Sequence, residues 1–264
     1  MRFLILSDIH GNAIALKELF KQIDKYDFDE IIWCGDYVTD FPYSHETIEL
    51  IKNISKDIKS HIIIGNRDKD ILDKANGKEF VFSKLNNLNY TYNQLTDKDI
   101  TWIKSLPEEL IIRLSSGKNI YVSHCFDEKY IENCRYKIFG HAHQQMQFEK
   151  DGVLYINSGS LGINTDGKFG AEFSILDTED EKIEEYILIY DVNKILEDLR
   201  KSPIYNDEVQ WGKLLEKELL TGIDYPMNCV QEYQKILLEM HLKEDSIECW
   251  KKALTRTLNW LFFN

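Results

Sequence analysis

The sequence predicts an α/β fold built around a parallel sheet, and the order of its apolar segments carries this prediction. Within the first 65 residues, short apolar runs alternate with amphipathic segments in the order strand–helix–strand–helix–strand. That alternation is typical of parallel strands with helices on the faces of the sheet. The chain becomes β-rich from residue 109 and helical from about residue 191. We therefore expect two parts, a domain over residues 1–190 and a helical extension over residues 191–264.

Local patterns predict the first three strands and two helices. The segments RFLILSD, DEIIWCGD and HIIIGN are predicted as buried strands because each contains a short, continuous apolar run. Between the first two, the segment NAIALKELFKQID is predicted as a helix, since Leu16, Leu19, Phe20 and Ile23 recur at helical spacing. The second helix is expected to begin at Ser44, in a sequence that resembles a capping box.

Residues 75–95 break the alternation and are rich in asparagine and aromatic residues. Phe80 and Phe82, and then Tyr90 and Tyr92, alternate as they would on one face of a strand. We therefore expect a hairpin that leaves the core at this point. Its rings either pack against the core or form a stacking platform for a nucleobase.

The remaining sequence predicts one short helix, a series of strands and the helical extension. The helix is capped by Thr96. Strands are predicted over ELIIRL, NIYVSH, YKIFGH, QMQFEKDGVLYIN, AEFSILD and KIEEYILIY, with hairpin turns at Asp151-Gly152 and Asp180-Glu181. The extension carries apolar residues at helical spacing, so we expect it to pack on the core or on a second subunit. The alternative is that it caps the active site.

Composition limits the function classes. The net charge of −13 argues against an extended nucleic-acid surface, which needs clustered Lys and Arg. A small anionic substrate remains compatible, because bound cations reverse the potential locally. No apolar run is long enough to cross a membrane. The five cysteines include no C-x-x-C pair, so we expect reduced thiols and a cytoplasmic protein.

Polar residues follow the ends of the predicted strands in five short motifs: SDIHGN, WCGDYV, IGNRD, YVSHC and FGHAH. Strand ends in a layered α/β fold meet at one edge, so these residues are expected to converge. Together they supply seven metal-binding side chains: Asp8, His10, Asp36, Asn66, His124, His141 and His143. Seven donors can hold two metal ions if one donor bridges them.

The order of these motifs resembles that of the calcineurin-like metallophosphoesterases, and the small bacterial phosphodiesterase members in particular. D-x-H is followed by G-D, G-N-x-D, a histidine and G-H-x-H over roughly residues 1–165. The resemblance implies a four-layer α/β/β/α sandwich, in which a second sheet packs on the first, with the C-terminal helical extension added.

The resemblance also implies how the donors divide between two ions. One ion would be held by Asp8, His10, Asp36 and His143. The second ion would be held by Asp36, Asn66, His124 and His141. Mixed imidazole, carboxylate and amide ligation suits manganese, iron or zinc, with nickel and cobalt as further candidates. A hydroxide bridging the two ions would attack phosphorus in line with the leaving oxygen.

Arg67 departs from the pattern of the family. Phosphomonoesterases of the superfamily usually have histidine after the asparagine, where it can protonate a leaving group. Arginine cannot act as that acid, but it can bind phosphate oxygens bidentately. Asp68 is expected to orient a metal ligand or Arg67 through a hydrogen bond. Tyr37 and Asp40, on the loop after Asp36, are candidate substrate contacts.

The sequence therefore predicts a dinuclear-metal phosphoesterase that hydrolyses phosphodiester or phosphoanhydride bonds. Catalysis is assigned to five of the metal ligands together with Arg67: Asp8, His10, Asp36, Asn66 and His124. A dinucleoside polyphosphate such as diadenosine tetraphosphate is the specific substrate hypothesis. Two alternatives stay open, namely a phosphatase acting on proteins or other phosphomonoesters, and a non-catalytic scaffold of the same fold.

Overall fold

The computed structural model describes residues 1–78, 83–242 and 246–263. Ten strands lie within these ranges: β1 Arg2–Leu6, β2 Glu30–Trp33, β3 Ser60–Ile62, β4 Glu109–Arg113, β5 Asn119–Ser123, β6 Cys134–Phe139, β7 Gln145–Lys150, β8 Val153–Ser158, β9 Ala171–Asp177 and β10 Lys182–Leu188. The same ranges contain ten α-helices: α1 Ala13–Lys21, α2 Ser44–Asp57, α3 Asn66–Ala75, α4 Ser83–Gln94, α5 Asp97–Ser105, α6 Val192–Lys201, α7 Pro203–Asn206, α8 Val209–Thr221, α9 Tyr225–Glu239 and α10 Ile247–Phe263.

The strands form two mixed sheets of five strands each. The first has the order β10-β9-β1-β2-β3, and the second has the order β4-β5-β6-β8-β7. β1, β2 and β3 are parallel, as the alternation of the first 65 residues predicted. β9 pairs antiparallel with β1, so the last two strands return to the first sheet. The predicted α/β sandwich of two sheets flanked by helices is confirmed.

Two apolar cores hold the sandwich together. One lies between the sheets, where Phe3, Ile5 and Ile32 of the first sheet pack with Val122 and Ile138 of the second. Because side chains alternate along a strand, the neighbouring positions of β1 point to the opposite face. There they join a larger core that contains the buried apolar residues of the helices. The strand ends that carry the polar motifs therefore sit on a scaffold that is packed on both faces of the first sheet.

The predicted hairpin within residues 75–95 is wrong for residues 83–94, which form α4. Asn87, Leu88 and Thr91 are buried, with the spacing of one helical face rather than the alternation of a strand. Phe80 and Phe82 lie outside the described residues. The alternating aromatic pattern was therefore misleading, because a few rings at every second position also fit a short helix.

The predicted helix starts had mixed outcomes. Thr96 caps α5 as expected, and its side chain and that of Asp99 form a reciprocal capping box. α2 does begin at Ser44, but Ser44 does not cap it, and Oγ of Ser44 instead accepts a hydrogen bond from the N–H of Thr39. The predicted hairpin turn at Asp151-Gly152 joins β7 to β8. The other predicted turn, at Asp180-Glu181, lies between β9 and β10.

The extension packs on the core and shares one continuous apolar cluster with it. Ile195, Leu199 and Leu214 belong to the same cluster as Leu4 and Leu16. α8 and α9 also reach the edge of the sheet where the polar motifs lie. The division of the chain at residue 190 stays a prediction. Across the described ranges, the helices lack the combination of length and apolar character that spanning a membrane requires.

Candidate metal centre

The seven predicted donors meet at one edge of the sandwich. Each lies at or shortly after the carboxyl end of a strand, with Asp8 and His10 after β1, Asp36 after β2, Asn66 after β3, His124 after β5, and His141 and His143 after β6. The parallel order of these strands explains the convergence, because parallel strands end at the same edge of a sheet. Residues more than one hundred positions apart in the sequence thus become neighbours.

Asp8, His10 and His143 form one group of donor atoms. Nε2 of His143 lies 3.3 Å from Oδ1 of Asp8 and 3.1 Å from Nε2 of His10. Oδ1 of Asp8 lies 3.9 Å from Nε2 of His10. Neighbouring ligands that bind one ion at about 2.0–2.2 Å are separated by about 3–3.5 Å. The spacing and chemistry of this group therefore fit a single metal ion.

Asn66, His124 and His141 form a second group. Nε2 of His124 lies 2.8 Å from Oδ1 of Asn66, and the ring centroids of His124 and His141 are 5.3 Å apart. Cys125 was not among the predicted donors, yet its Sγ lies within 4.8 Å of ring nitrogens of His124 and His141. Amide and imidazole donors at these separations also fit a metal ion, with an exposed thiol beside it.

Asp36 connects the two groups. Its Oδ2 lies 3.8 Å from Nε2 of His10 in the first group and 3.4 Å from Nε2 of His124 in the second. Its Oδ1 accepts a hydrogen bond of 2.7 Å from the backbone N–H of Arg67. One carboxylate thus faces both groups, which is the position that a bridging ligand requires.

The backbone at these donors is strained. Five of the seven lie in the left-handed region, with φ of 53° at Asp8, 51° at His10, 55° at Asp36, 67° at His141 and 54° at His143. This conformation costs a residue with a side chain about 1–2 kcal/mol. Such strain concentrates at functional sites, where the surrounding structure maintains it. Aspartate and histidine adopt this conformation more readily than most residues with a side chain, and five of them at one site indicate that the surrounding structure maintains it.

Two of the imidazoles are held in orientation by their second ring nitrogen. Nδ1 of His124 donates a 2.7 Å hydrogen bond to the backbone oxygen of Cys34. Nδ1 of His10 lies 2.7 Å from Oδ2 of Asp40. In each case the proton on Nδ1 leaves Nε2 with the lone pair that a metal needs. Asp40, predicted as a substrate contact, therefore positions His10.

The carboxylates make the centre attractive to positive charge. Burial alone would lower the pKa of His124, but Asp36 and Asp8 outweigh burial and raise it to about 10. The pKa of His143 is also raised, because Asp8 outweighs the cost of burial. Cations of either kind, protons or metal ions, would be stabilised at these positions.

Asp68 holds the Asp36 loop in place. Its Oδ2 accepts hydrogen bonds of 2.9 Å from the N–H groups of Asp36 and Gly65, and its Oδ1 accepts one of 3.0 Å from the N–H of Tyr37. Of the two predicted roles, Asp68 therefore positions a donor residue, acting through the backbone of Asp36. Within the described part of the chain it makes no hydrogen bond to Arg67.

Tyr37 is the predicted substrate contact that the structure contradicts. Its side chain is completely buried, and its hydroxyl donates a 2.7 Å hydrogen bond to the backbone oxygen of Ile63. The same hydroxyl accepts one of 3.1 Å from the N–H of Gly35. The loop after Asp36 turns the ring into the core, so Tyr37 supports the loop and cannot meet a substrate.

Arg67 lies in a cavity of about 160 Å³ beside the donors. Its guanidinium is 3.5 Å from Oδ2 of Asp70. The wall of the cavity includes residues of α8 and α9 that were not predicted as site residues: Trp211, Leu215, Glu218, Met227 and Val230. The extension thus contributes directly to the site. This arrangement agrees with the alternative expectation that the extension caps the active site.

A sequence profile of the calcineurin-like phosphoesterase superfamily domain matches residues 1–181. The uncharacterized protein MJ0912 of Methanocaldococcus jannaschii is 27% identical over 229 residues, which are 75% of this chain and 91% of that protein.

Two solved structures share the fold. A metallophosphoesterase from Sphaerobacter thermophilus superposes with a TM-score of 0.68 at 21% identity, covering 84% of this chain and 99% of that one. The hypothetical protein PH1004 from Pyrococcus horikoshii OT3 superposes with a TM-score of 0.70 at 20% identity, covering 84% of this chain and 98% of that one.

Proposed function

The chain belongs to the calcineurin-like phosphoesterase superfamily, and we propose that it uses two bound metal ions to hydrolyse phosphodiester or phosphoanhydride bonds. One observation carries the proposal. Oδ2 of Asp36 lies between the two groups of donors, 3.8 Å from Nε2 of His10 and 3.4 Å from Nε2 of His124. A single site would not need a carboxylate shared in this way.

The residues divide between the two ions as follows. Asp8, His10 and His143 would hold one ion, and Asn66, His124 and His141 would hold the other. Asp36 would bind both. Bound there, two divalent ions would supply an activated water as nucleophile and offset charge on the phosphoryl oxygens. Manganese, iron and zinc are the leading candidates for this donor set.

Arg67 is proposed to bind the phosphate. Arg67 lines the same cavity as Asp36, and its long side chain could bring the guanidinium to a phosphoryl group held at the donors. The fork of N–H donors in arginine matches two phosphate oxygens at once. Because it keeps its proton at all relevant pH values, it cannot protonate a leaving group. This chemistry favours aryl diesters and anhydrides, because their leaving groups depart without being protonated. Arg67 would hold the phosphoryl oxygens that do not react.

The cavity supports a substrate with a compact or partly solvent-exposed leaving group. Its volume of about 160 Å³ is below the range of about 300–1,000 Å³ that encloses a drug-sized ligand. Trp211, Met227 and Val230 give it an apolar wall. A nucleotide whose phosphates bind at the donors would place its sugar and base along this wall or outside the cavity. Dinucleoside polyphosphates such as diadenosine tetraphosphate remain the specific substrate hypothesis.

A substrate panel tests the proposal. Protein stripped with a chelator would be reconstituted with manganese, iron or zinc and assayed on aryl diesters, cyclic nucleotides, dinucleoside polyphosphates, monoesters and phosphopeptides. We expect diesters and anhydrides to be hydrolysed faster than monoesters. The variant Asp36→Asn should lose activity and metal binding, while Asp57→Asn, an exposed carboxylate at the end of α2, should lose neither.

The panel also separates the alternatives. Faster turnover of monoesters or phosphopeptides would replace the proposal with a phosphatase. Brisk turnover of monoesters with none of any dinucleoside polyphosphate would reject the specific substrate hypothesis. No turnover at any metal loading would favour a non-catalytic scaffold.

A further inference from the structure

Helix α8 of the extension places one carboxyl group at the cavity of the metal centre. Glu218 is only 4% exposed, yet it lines the cavity together with Arg67 and His143. Its neighbours on α8, Leu215 and Trp211, line the same cavity. In the described ranges, the Glu218 side chain makes no hydrogen bond or ion pair. A carboxyl on a largely buried side chain is costly to ionise, so its presence at the wall of a reaction site calls for a chemical explanation.

The surroundings of Glu218 favour its neutral form. Burial raises the pKa of its carboxyl well above the usual value, and the nearby carboxylates of Asp224 and Asp40 raise it further. Arg67 acts in the opposite direction but does not outweigh these effects. A protonated carboxyl is a hydrogen-bond donor and a proton donor, unlike the carboxylates that bind metal. The cavity therefore contains an acid in addition to the guanidinium of Arg67.

We propose that Glu218 is the catalytic acid that protonates the leaving oxygen of the substrate. The inference rests on the proposed function, since it needs a phosphoryl group at the metal centre. It also explains how a chain with arginine next to Asn66 can operate without a histidine acid at that position. The acid is supplied by the C-terminal extension instead of by the loop after β3.

The step balances as follows. The oxygen of the attacking water forms a bond to phosphorus, and the bond between phosphorus and the leaving oxygen breaks. The electron pair of that bond goes to the leaving oxygen, which takes the proton from the Glu218 carboxyl and departs as an alcohol. The attacking water releases one proton to solvent. The Glu218 carboxylate takes a proton from solvent, which restores the starting state.

The proposal extends the range of leaving groups. Arg67 alone would restrict the reaction to leaving groups that depart without a proton, such as phenolates and phosphates. With Glu218 as acid, alkoxide leaving groups also become substrates, because a positioned general acid contributes about 10²–10⁴-fold. The apolar residues beside Glu218 would contact the carbon part of that leaving group, and solvent would reach the carboxyl again once the product has left.

The test compares two phosphodiesters that differ in leaving group, one releasing nitrophenolate and one releasing a simple alkoxide. In Glu218→Gln, we expect kcat/KM for the alkoxide substrate to fall by at least about 100-fold, and by at least tenfold more than for the nitrophenyl substrate. The fall of the wild-type rate at high pH should also disappear in the variant. Glu216→Gln is the matched control, because Glu216 lies on the same helix and pairs with Arg200 outside the cavity.

Equal losses on both diesters would overturn the proposal and leave Glu218 a binding or structural residue. An inactive wild-type protein at every metal loading would instead contradict the proposed function. If Glu218→Gln does not fold, the leaving-group dependence of the wild-type enzyme tests the proposal instead. Its log kcat/KM should depend only weakly on the pKa of the leaving group, and a steep dependence would overturn the proposal.

Discussion

Oδ2 of Asp40 lies 2.7 Å from Nδ1 of His10, and both side chains are buried. A carboxylate that accepts the Nδ1 proton fixes the ring and makes Nε2 a better metal ligand. A further contact holds the pair in place, since Nδ2 of Asn87 donates a 2.7 Å hydrogen bond to Oδ1 of Asp40. The structure thus connects α4, through two hydrogen bonds, to a donor of the metal centre.

Replacing Asp40 with asparagine should weaken metal binding. The neutral amide would orient His10 less strongly, and losses of such partners typically cost about 10–100-fold in metal affinity or activity. Calorimetric titration of the metal-stripped protein with manganese would measure the affinity. Asp57→Asn serves as the control, because Asp57 is exposed and lies at the far end of α2 from Ser44. An unchanged affinity in Asp40→Asn would show that the contact has no role in ligation.

Gly65→Ala should distort the metal centre. Gly65 has an ordinary φ of −97°, so alanine would fit its backbone. However, a Cβ there would lie 2.2 Å from the backbone N and from Oδ1 of Asp36, far inside van der Waals contact. We expect weaker metal binding and a loss of about 1–3 kcal/mol in the free energy of unfolding.

Gly77→Ala is the comparison for Gly65→Ala. Gly77 has a φ of +86° and nothing within 4 Å of a Cβ, so this variant introduces backbone strain without a clash. It should lower thermal stability and leave manganese affinity intact. If Gly65→Ala binds manganese as tightly as the wild type, the close contact does not constrain Asp36.

Arg67→Lys should raise KM. Lysine keeps the charge but loses the fork that binds two phosphate oxygens, so the expected change is about tenfold, or about 1.4 kcal/mol. Steady-state kinetics on an aryl diester would measure it. Lys69→Gln, on the same helix but paired with Glu108 at the surface, is the control. An equal KM in Arg67→Lys and wild type would remove Arg67 from substrate binding.

The metal donors could be predicted because each is encoded locally. A short apolar run followed by a polar motif identifies a strand end, and the parallel order brings such ends together. The roles of Tyr37 and Asp40 could not be predicted in the same way. They depend on the conformation of the loop after β2, where Asp36, Thr39 and Asp40 all have positive φ. Aspartate tolerates the left-handed region, but a β-branched residue such as Thr39 rarely adopts it, so this loop conformation depends on tertiary contacts.

A role of the extension at the site was predicted only as an alternative, and the residues that it contributes there, Glu218 among them, were not predicted. Glu218 lies more than seventy residues after His143. No local motif distinguishes it from the other charged residues of α8. Only the packing of α8 against the first-sheet core brings it to the cavity. The error over α4 has a different cause. The alternating aromatic residues favoured a strand, but burying Leu88 and Thr91 against the core required a helix.

Asp99 should make the folded state sensitive to acid. Burial alone would raise its pKa, but hydrogen bonds from Thr96 and Lys52 outweigh burial and lower the pKa to about 2. Because the pKa of Asp99 is lower in the folded state, its ionised carboxylate stabilises the folded state at pH values above the unfolded pKa near 3.8. This stabilisation is lost as the pH falls through about 2.

The variant Asp99→Asn tests this sensitivity. At pH 7 it should lower the free energy of unfolding by about 2 kcal/mol, and the difference from wild type should shrink between pH 4 and pH 2. Urea denaturation at several pH values would measure it. Asp97→Asn, an exposed residue two positions earlier in α5, should show a smaller difference. A pH-independent difference would mean that Asp99 acts through packing alone.

Removal of residues 191–264 should destabilise the rest of the chain. The apolar cluster on the outer face of the first sheet is continuous across this boundary, and it includes Ile195, Leu199 and Leu214 of the extension. Their loss would expose the surfaces of the core that they cover. Each fully buried side chain of this size contributes about 1.5–3 kcal/mol relative to exposure, so several together are comparable with the usual stability of a domain, about 5–15 kcal/mol. We therefore expect a fragment of residues 1–190 to aggregate or to melt well below the full chain, measured by size-exclusion chromatography and thermal denaturation.

A monomeric fragment that melts with the full chain would establish two independent domains. Such a fragment should still bind manganese through its seven donors. Because it would lack Glu218, its activity should fall further on diesters with alkoxide leaving groups than on those with nitrophenolate leaving groups.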